Sequence, residues 1–343
     1  MKYTRAVTNN KFPDIRYFLK KSHIEVDTSD RNERLLNYSS GQKLEIPSTE
    51  YIEGYAYTAK KNVADDLSFS NYIELCNSLY KKLSGASNQD EINSFTLRYY
   101  WGLRLEIFFY KQNVEEFIRG ERDFVNTGLS LDSIVFLIAH LFILDWERES
   151  YQLTKDLFEI INIKFDVVSG VENQERPSDA QYFVLNFLNR QQGWNIPCVI
   201  EFEPTDDVYK KIIEDWSLEG CHTLEELFID ACNRHINEAK FFEEDKRFQK
   251  YYDFGKYEFF YYPFEVLIVE KSREKNNLNT IKADHFLLKT PLGVLPSSSK
   301  SDNYYNDFLV NLLIRVKSEY PDFAEDYKLP KSTEPKKNSW KFW

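Results

Sequence analysis

Cys221, His222, Cys232 and His235 fall within 15 residues of one another, and all four are zinc-ligand types. Cys232 and His235 stand three apart, so on a helix they share a face. A structural zinc site brings its cysteines as a close pair such as Cys-x-x-Cys, and that pair is absent. Cys221 and His222 are adjacent, which makes joint ligation awkward. The plainer reading is a buried cysteine beside a helix-surface histidine, with no metal. Spacing alone leaves open whether Cys221, Cys232 and His235 hold an ion.

Other chemistry is sparser. Glu201 and Glu203 form a Glu-x-Glu pair of the oxygen-ligand kind that metal-dependent nucleases use. The lysine that would stand at fixed spacing to stabilise a phosphate is not evident, and nothing suggests a basic groove. There is no glycine-rich phosphate loop, no Gly-x-Ser-x-Gly elbow and no His-Glu-x-x-His helix. Nothing local pairs a cysteine with His140 or His285 as a cysteine protease would. The expectation is a protein that binds rather than an enzyme, with no catalytic residues and no cofactor. An enzyme whose active site carries no readable motif is the remaining alternative.

The elements that would position such residues are mostly helices. The chain has 343 residues, 42% hydrophobic, and only 11 Gly and 11 Pro. That Gly and Pro content is roughly half the usual frequency and lacks the turn punctuation of an all-β protein. Tyr72, Leu75, Cys76, Leu79, Tyr80 and Leu83 make one apolar stripe at helical spacing, stopped by Ser84-Gly85. Ile92, Phe95, Tyr99, Leu103, Ile107, Tyr110, Val114 and Phe117 make a second, of about seven turns, ended by Gly120. Residues 131–146 are apolar on nearly every side, and a fourth helix runs over about 151–165. Short connections favour antiparallel neighbours.

A polar break at 169–177 separates two helical halves. Beyond it, Ser178 with Gln181 and Thr223 with Glu226 read as capping boxes. Val208, Ile212 and Trp216 share one helix. Tyr305, Phe308, Leu309, Leu312, Leu313 and Val316 make a last stripe. Ahead of all this, Phe12-Pro-Asp14 could open a short helix, and Leu44-Glu-Ile-Pro47 and Tyr51-Ile-Glu-Gly-Tyr-Ala-Tyr57 alternate like strand. The predicted fold is all-α: an irregular bundle of antiparallel helical hairpins in two halves. Its parts are an N-terminal arm at 1–65 with some strand, a helical half at 66–168, a second at 178–327, and a basic flexible tail at 328–343.

Charge is uneven. The net charge is −11, which argues against a general nucleic-acid or membrane-surface binder. Four cysteines in so long a chain show no disulfide framework. The first ten residues carry no apolar signal-peptide core, so the expected location is cytoplasmic. Residues 201–230 hold ten acids against Lys210 and Lys211, whereas residues 1–21 hold six Lys or Arg and one Asp. On a surface, such an acidic block would steer a basic partner. The candidate binding residues are Glu201, Glu203, Asp206, Asp207, Glu214, Asp215, Glu219, Glu225 and Glu226. Trp216 is the aromatic anchor among them, with Trp194 and Phe202 nearby. The competing reading is that of solvated helix faces, with Glu225 and Glu226 favouring a helix N-terminus.

One stretch carries a resemblance. Tyr257-Glu-Phe-Phe-Tyr-Tyr-Pro-Phe-Glu265-Val-Leu-Ile-Val269 is followed by Asp284-His-Phe-Leu-Leu-Lys-Thr-Pro-Leu-Gly293. This is similar to the C-terminal domain of the PoNi-type immunity proteins, which shows an aromatic-Gly-aromatic-aromatic run leading into Phe-Glu. Tyr261, Phe264 and Glu265 match best. Phe260 stands where that family often has Gly, and Tyr262 where it often has Trp. The helices from about 70 to 165 resemble the family's N-terminal part by pattern, so the likeness covers about two-thirds of the chain. It implies a cytoplasmic antidote to an antibacterial DNase toxin delivered by a secretion system, type VI among them, that blocks the toxin's active site. A DNase presents a cationic surface to phosphate, and an acidic inhibitor can mimic DNA there. The implied partner is a cognate toxin with a basic surface. Glu265 has a structural reading too, as a buried, hydrogen-bonded carboxylate at a helix start. The alternative function is a helical-repeat scaffold or adaptor with an endogenous partner.

Overall fold

Polar caps set where the helices begin. The Asn88 side chain accepts from the Asp90 amide, Ser130 from Ser133, Ser178 from Gln181 and Asn306 from Leu309. Each bond satisfies an N–H that the first helical turn leaves without a partner. Gly85 and Gly120 end two helices in the left-handed region, at φ of 77° and 73°, which a side chain would disfavour.

The computed structural model describes residues 27–41, 59–86, 88–121, 129–168, 178–219, 222–239, 243–245, 248–250, 253–254, 259–325 and 327–328. Ten α-helices occur among the described residues. In chain order they are α1 (Ser29–Ser39), α2 (Ala59–Leu83), α3 (Gln89–Ile118), α4 (Leu131–Ile143) and α5 (Glu147–Val168). Then follow α6 (Asp179–Asn186), α7 (Asp207–Asp215), α8 (His222–Glu238), α9 (Phe264–Lys275) and α10 (Asp307–Glu319). A π-turn, Phe187–Gln191, continues α6, and short 3-10 turns occupy Phe286–Lys289 and Ser301–Tyr304. A two-strand antiparallel ribbon, Glu243–Asp245 with Phe248–Lys250, lies between α8 and α9. The all-α class is therefore correct. No described helix is long and apolar enough to cross a membrane.

The longest helices pair across short turns. Tyr72 of α2 meets Tyr99 of α3 with ring centroids 5.4 Å apart, and Ser68 faces Gly102. Numbers fall along one helix as they rise along the other, so the pair is antiparallel. A Cβ on Gly102 would lie 2.5 Å from the Ser68 Cα, so only glycine allows this approach. Helices α4 and α5 pack likewise, with the Ser150 hydroxyl donating to the Ile138 carbonyl at 2.8 Å.

Every residue of α4 except Asp132 is buried, as its all-round apolar sequence predicts. It lies against α5 on one side and α9 and α6 on the other. One core thus runs through both helical segments, 66–168 and 178–327.

Two expectations need correction. Part of the 1–65 arm is helical, since α1 lies within it and α2 begins at Ala59. Helix α1 has few apolar residues, so periodicity cannot reveal it. Tertiary contacts supply what its sequence lacks. Leu35 and Tyr38 are buried, Arg31 and Arg34 pair with Asp66 at 3.2 and 2.7 Å, and Tyr38 donates to Glu319 at 2.9 Å. The second concerns Thr223, which is not a cap, because α8 already includes His222. The expected helix at 12–14, the strands at 44–47 and 51–57, the break at 169–177 and the tail beyond Lys328 lie outside the described residues.

Candidate functional site

The acidic block occupies α7, the start of α8 and the segment before them, and it divides into two sets. Asp206 turns inward. Its Oδ1 caps α7 by accepting from the Val208 amide at 2.9 Å, and its Oδ2 accepts from Arg234 Nε at 3.0 Å. Arg234, on α8, is buried. Its guanidinium also pairs with Asp253, stands 3.9 Å from Asp179, and lies 4.6 Å over the Tyr209 ring, whose hydroxyl accepts from it at 3.1 Å. Asp179 in turn accepts from the Thr205 amide, and Asp253 from the Ala180 amide. One guanidinium thereby ties together the starts of α6 and α7, the middle of α8 and the turn at 253–254.

Three carboxylates around one buried cation cannot all be well compensated. Burial pushes the Asp253 carboxyl up to about 6, against the pull of Arg234. Burial works against the Arg234 charge, but Tyr209, Asp253 and Asp206 overcome it and hold its pKa above the usual arginine value.

The second set faces water. Glu201, Glu203, Asp207, Glu214, Glu219 and Glu226 are exposed, and Asp215 and Glu225 are half-buried. Glu203 meets Arg190 at 3.5 Å and Asp207 meets Lys210 at 3.8 Å, all of them exposed. Glu225 and Glu226 flank His222 at 3.3 and 3.7 Å. Among the described residues, no cation lies within ion-pair distance of Glu201, Glu214, Asp215 or Glu219. Val199 and Leu218, in the same stretch, are apolar and exposed at 71% and 47%.

The aromatic candidates are corrected. Trp216 is not a surface anchor. Its ring packs edge-on to Phe187 at 5.6 Å, its Nε1 donates to Gln191 at 3.1 Å, and its carbonyl accepts from buried Arg273. Arg273 also donates to the Leu218 carbonyl at 3.0 Å, so α9 holds the backbone that follows α7. Phe202 is buried against Phe158, with centroids 5.1 Å apart. Trp194 is half-buried, edge-on to Tyr151 and Phe142. Their apolar area belongs to the core rather than to a partner.

Tyr261, Phe264 and Glu265 are all buried at the start of α9. Phe264 packs edge-on to Phe136, Phe254 and Phe259. Glu265 Oε1 meets His235 Nδ1 at 2.8 Å, and His235 Nε2 meets the Phe259 carbonyl at 2.8 Å. A carbonyl only accepts, so Nε2 carries a proton and both ring nitrogens are engaged. His235 is therefore buried, not on the helix surface as its type suggests. The signal was available: Leu224, Phe228, Ala231 and His235 continue one stripe at steps of four, three and four.

Cys232 is also buried, and burial pushes its thiol well above the ordinary range. Cys221 lies outside the described residues, and no group of three metal-ligand side chains occurs among the described ones. His140 is buried between Thr96 Oγ1 at 3.1 Å and Tyr262 Oη at 2.7 Å, and burial lowers its pKa to about 3. His285 is lowered to about 4 by burial. Both are neutral at pH 7.

Reasoning from sequence missed Arg234 and Arg273. Their carboxylate and carbonyl partners are far away in the chain, and no local pattern marks a buried arginine. The chain matches no family model, no curated protein and no solved structure among known proteins. The likeness to PoNi-type immunity proteins thus rests on the residues that carry it.

Proposed function

We propose that this chain is an immunity protein that binds a cognate antibacterial toxin with a basic surface, a secretion-system DNase by the resemblance, and occludes its active site. The reading is one of stoichiometric binding in the cytoplasm, without catalysis or cofactor. The observation that carries it is the division of the acidic block. The buried cation, Arg234, serves the carboxylates that turn inward. Glu201, Glu214 and Glu219 stay exposed with no cation beside them among the described residues. Such a face attracts a cationic surface from a distance and speeds encounter.

Exposed Val199 and Leu218 add apolar contact area to the charged face. Interfaces commonly combine a desolvated apolar centre with a polar rim. The DNA-mimicry argument then applies to the outer carboxylates alone, because Asp206 is already engaged within the fold.

The test is co-expression with the toxin encoded beside this gene. Cells survive if the reading is right, and they die as fast as without this protein if it is wrong. Mechanism is tested separately by measuring association with that toxin. Glu201→Lys, Glu214→Lys and Glu219→Lys together should slow association at least about tenfold at low salt and weaken its salt dependence. Unchanged kinetics would remove this face from the interface.

A further inference from the structure

A half-open groove of about 420 Å³ runs between α1, α2, α3 and the start of α4. That volume lies in the range of pockets for small organic ligands. Its walls combine two kinds of side chain. Phe69, Tyr72, Tyr99 and Tyr110 present aromatic rings, and Asp65 and Glu106 present carboxylates. Tyr72 and Tyr99 stand with centroids 5.4 Å apart, tilted by 46°. Burial and then the Glu106 charge raise Tyr99 well above the ordinary tyrosine value, so its hydroxyl stays neutral.

Aromatic faces attract cations through their quadrupole, and carboxylates attract them through charge. The groove already uses this chemistry once. The Arg31 guanidinium lies 4.5 Å over the Phe69 ring and is held by Asp66 at 3.2 Å. Arg31 is the cation among the described lining residues, and these contacts keep it at the groove wall.

We propose that this groove binds a small organic cation, a guanidinium or ammonium group on an alkyl stem. The charged head lies between Glu106 and Asp65, and the stem lies along the rings and Leu103. The carboxylates need not be idle for this, because an ionised carboxylate offers about four lone-pair sites. The site is separate from the acidic face, and its failure leaves the immunity reading untouched.

The test titrates the full chain with butylguanidinium and with butylurea, its uncharged counterpart, following the tyrosine ring signals by NMR. Butylguanidinium should bind saturably, and butylurea at least about tenfold more weakly. Glu106→Gln keeps the size and removes the charge, and it should weaken butylguanidinium about tenfold. Tyr72→Leu keeps apolar volume and removes the ring, and it should weaken binding roughly threefold. If Glu106→Gln fails to fold, Asp65→Asn replaces it with the same expected loss. Equal binding of the two probes, absence of saturable binding, or full affinity in the charge-neutral variant overturns the proposal.

Discussion

Asp206 and Glu214 lie eight residues apart in the same acidic block, yet their surroundings are opposite. Asp206 caps α7, faces buried Arg234 and shares that cation with Asp253 and Asp179. Glu214 faces water with no cation beside it among the described residues. Residue type and local charge density are the same at both sites. What differs is whether tertiary packing brings a counter-charge. The inner carboxylates hold helices together, and the outer ones shape the field that a partner meets. Net charge over a stretch of sequence cannot separate these roles.

The contrast can be broken most directly at its centre. Arg234→Met removes the shared cation and leaves Asp206, Asp253 and Asp179 uncompensated. It should destabilise the fold by about 3–5 kcal/mol in urea melts. A loss below about 1 kcal/mol would mean that water, not Arg234, satisfies the inner set.

A smaller effect should appear with pH. The folded Asp253 carboxyl is raised to about 6, above its ordinary value near 4. Between those values the folded state binds more protons than the unfolded state, so this group's contribution to stability falls as pH rises through the window. Asp253→Asn should flatten the pH dependence of the urea midpoint between about pH 4 and 6, by on the order of 2 kcal/mol. Identical slopes in the variant and the parent chain would show that Asp253 is not the group responsible.

Asp206 allows its two roles to be separated. Asparagine still caps a helix, whereas alanine does not. Asp206→Ala should therefore cost about 1 kcal/mol more than Asp206→Asn, measured by thermal unfolding. Equal losses would assign the residue's whole contribution to its charge.

The smallest effects belong to the outer set. Glu214→Lys and Glu219→Lys should each change stability by no more than about 0.5 kcal/mol. A larger change in chemical denaturation would place these carboxylates with the inner set and erase the contrast.

Much of the fold was legible in advance because its helices carry their own signals. The apolar stripe from Ile92 to Phe117 and the Gly120 stop gave α3, and the continuous apolar run at 131–143 gave α4. Helix α1 was not legible, since Leu35 and Tyr38 are too few to mark a period and the helix depends on Asp66 and Glu319 for contacts. The candidate site was half legible. Its acids were readable by type, and the exposed ones lie where a solvated helix face would put them. Trp216 was misassigned because an aromatic in an acidic stretch fits an interface as well as a core. Only its contacts with Phe187, Gln191 and Arg273 distinguish the two.

The amino-acid sequence by itself determined the all-α class, the ends of most helices and the concentration of negative charge at 201–230, since these depend on periodicity, caps and composition within a few turns of chain. The tertiary structure alone decided which of those charges are available to a partner. Arg234 meets Asp206 and Asp253 across 28 and 19 residues, and the desolvation that makes such pairing matter exists only once the helices have packed.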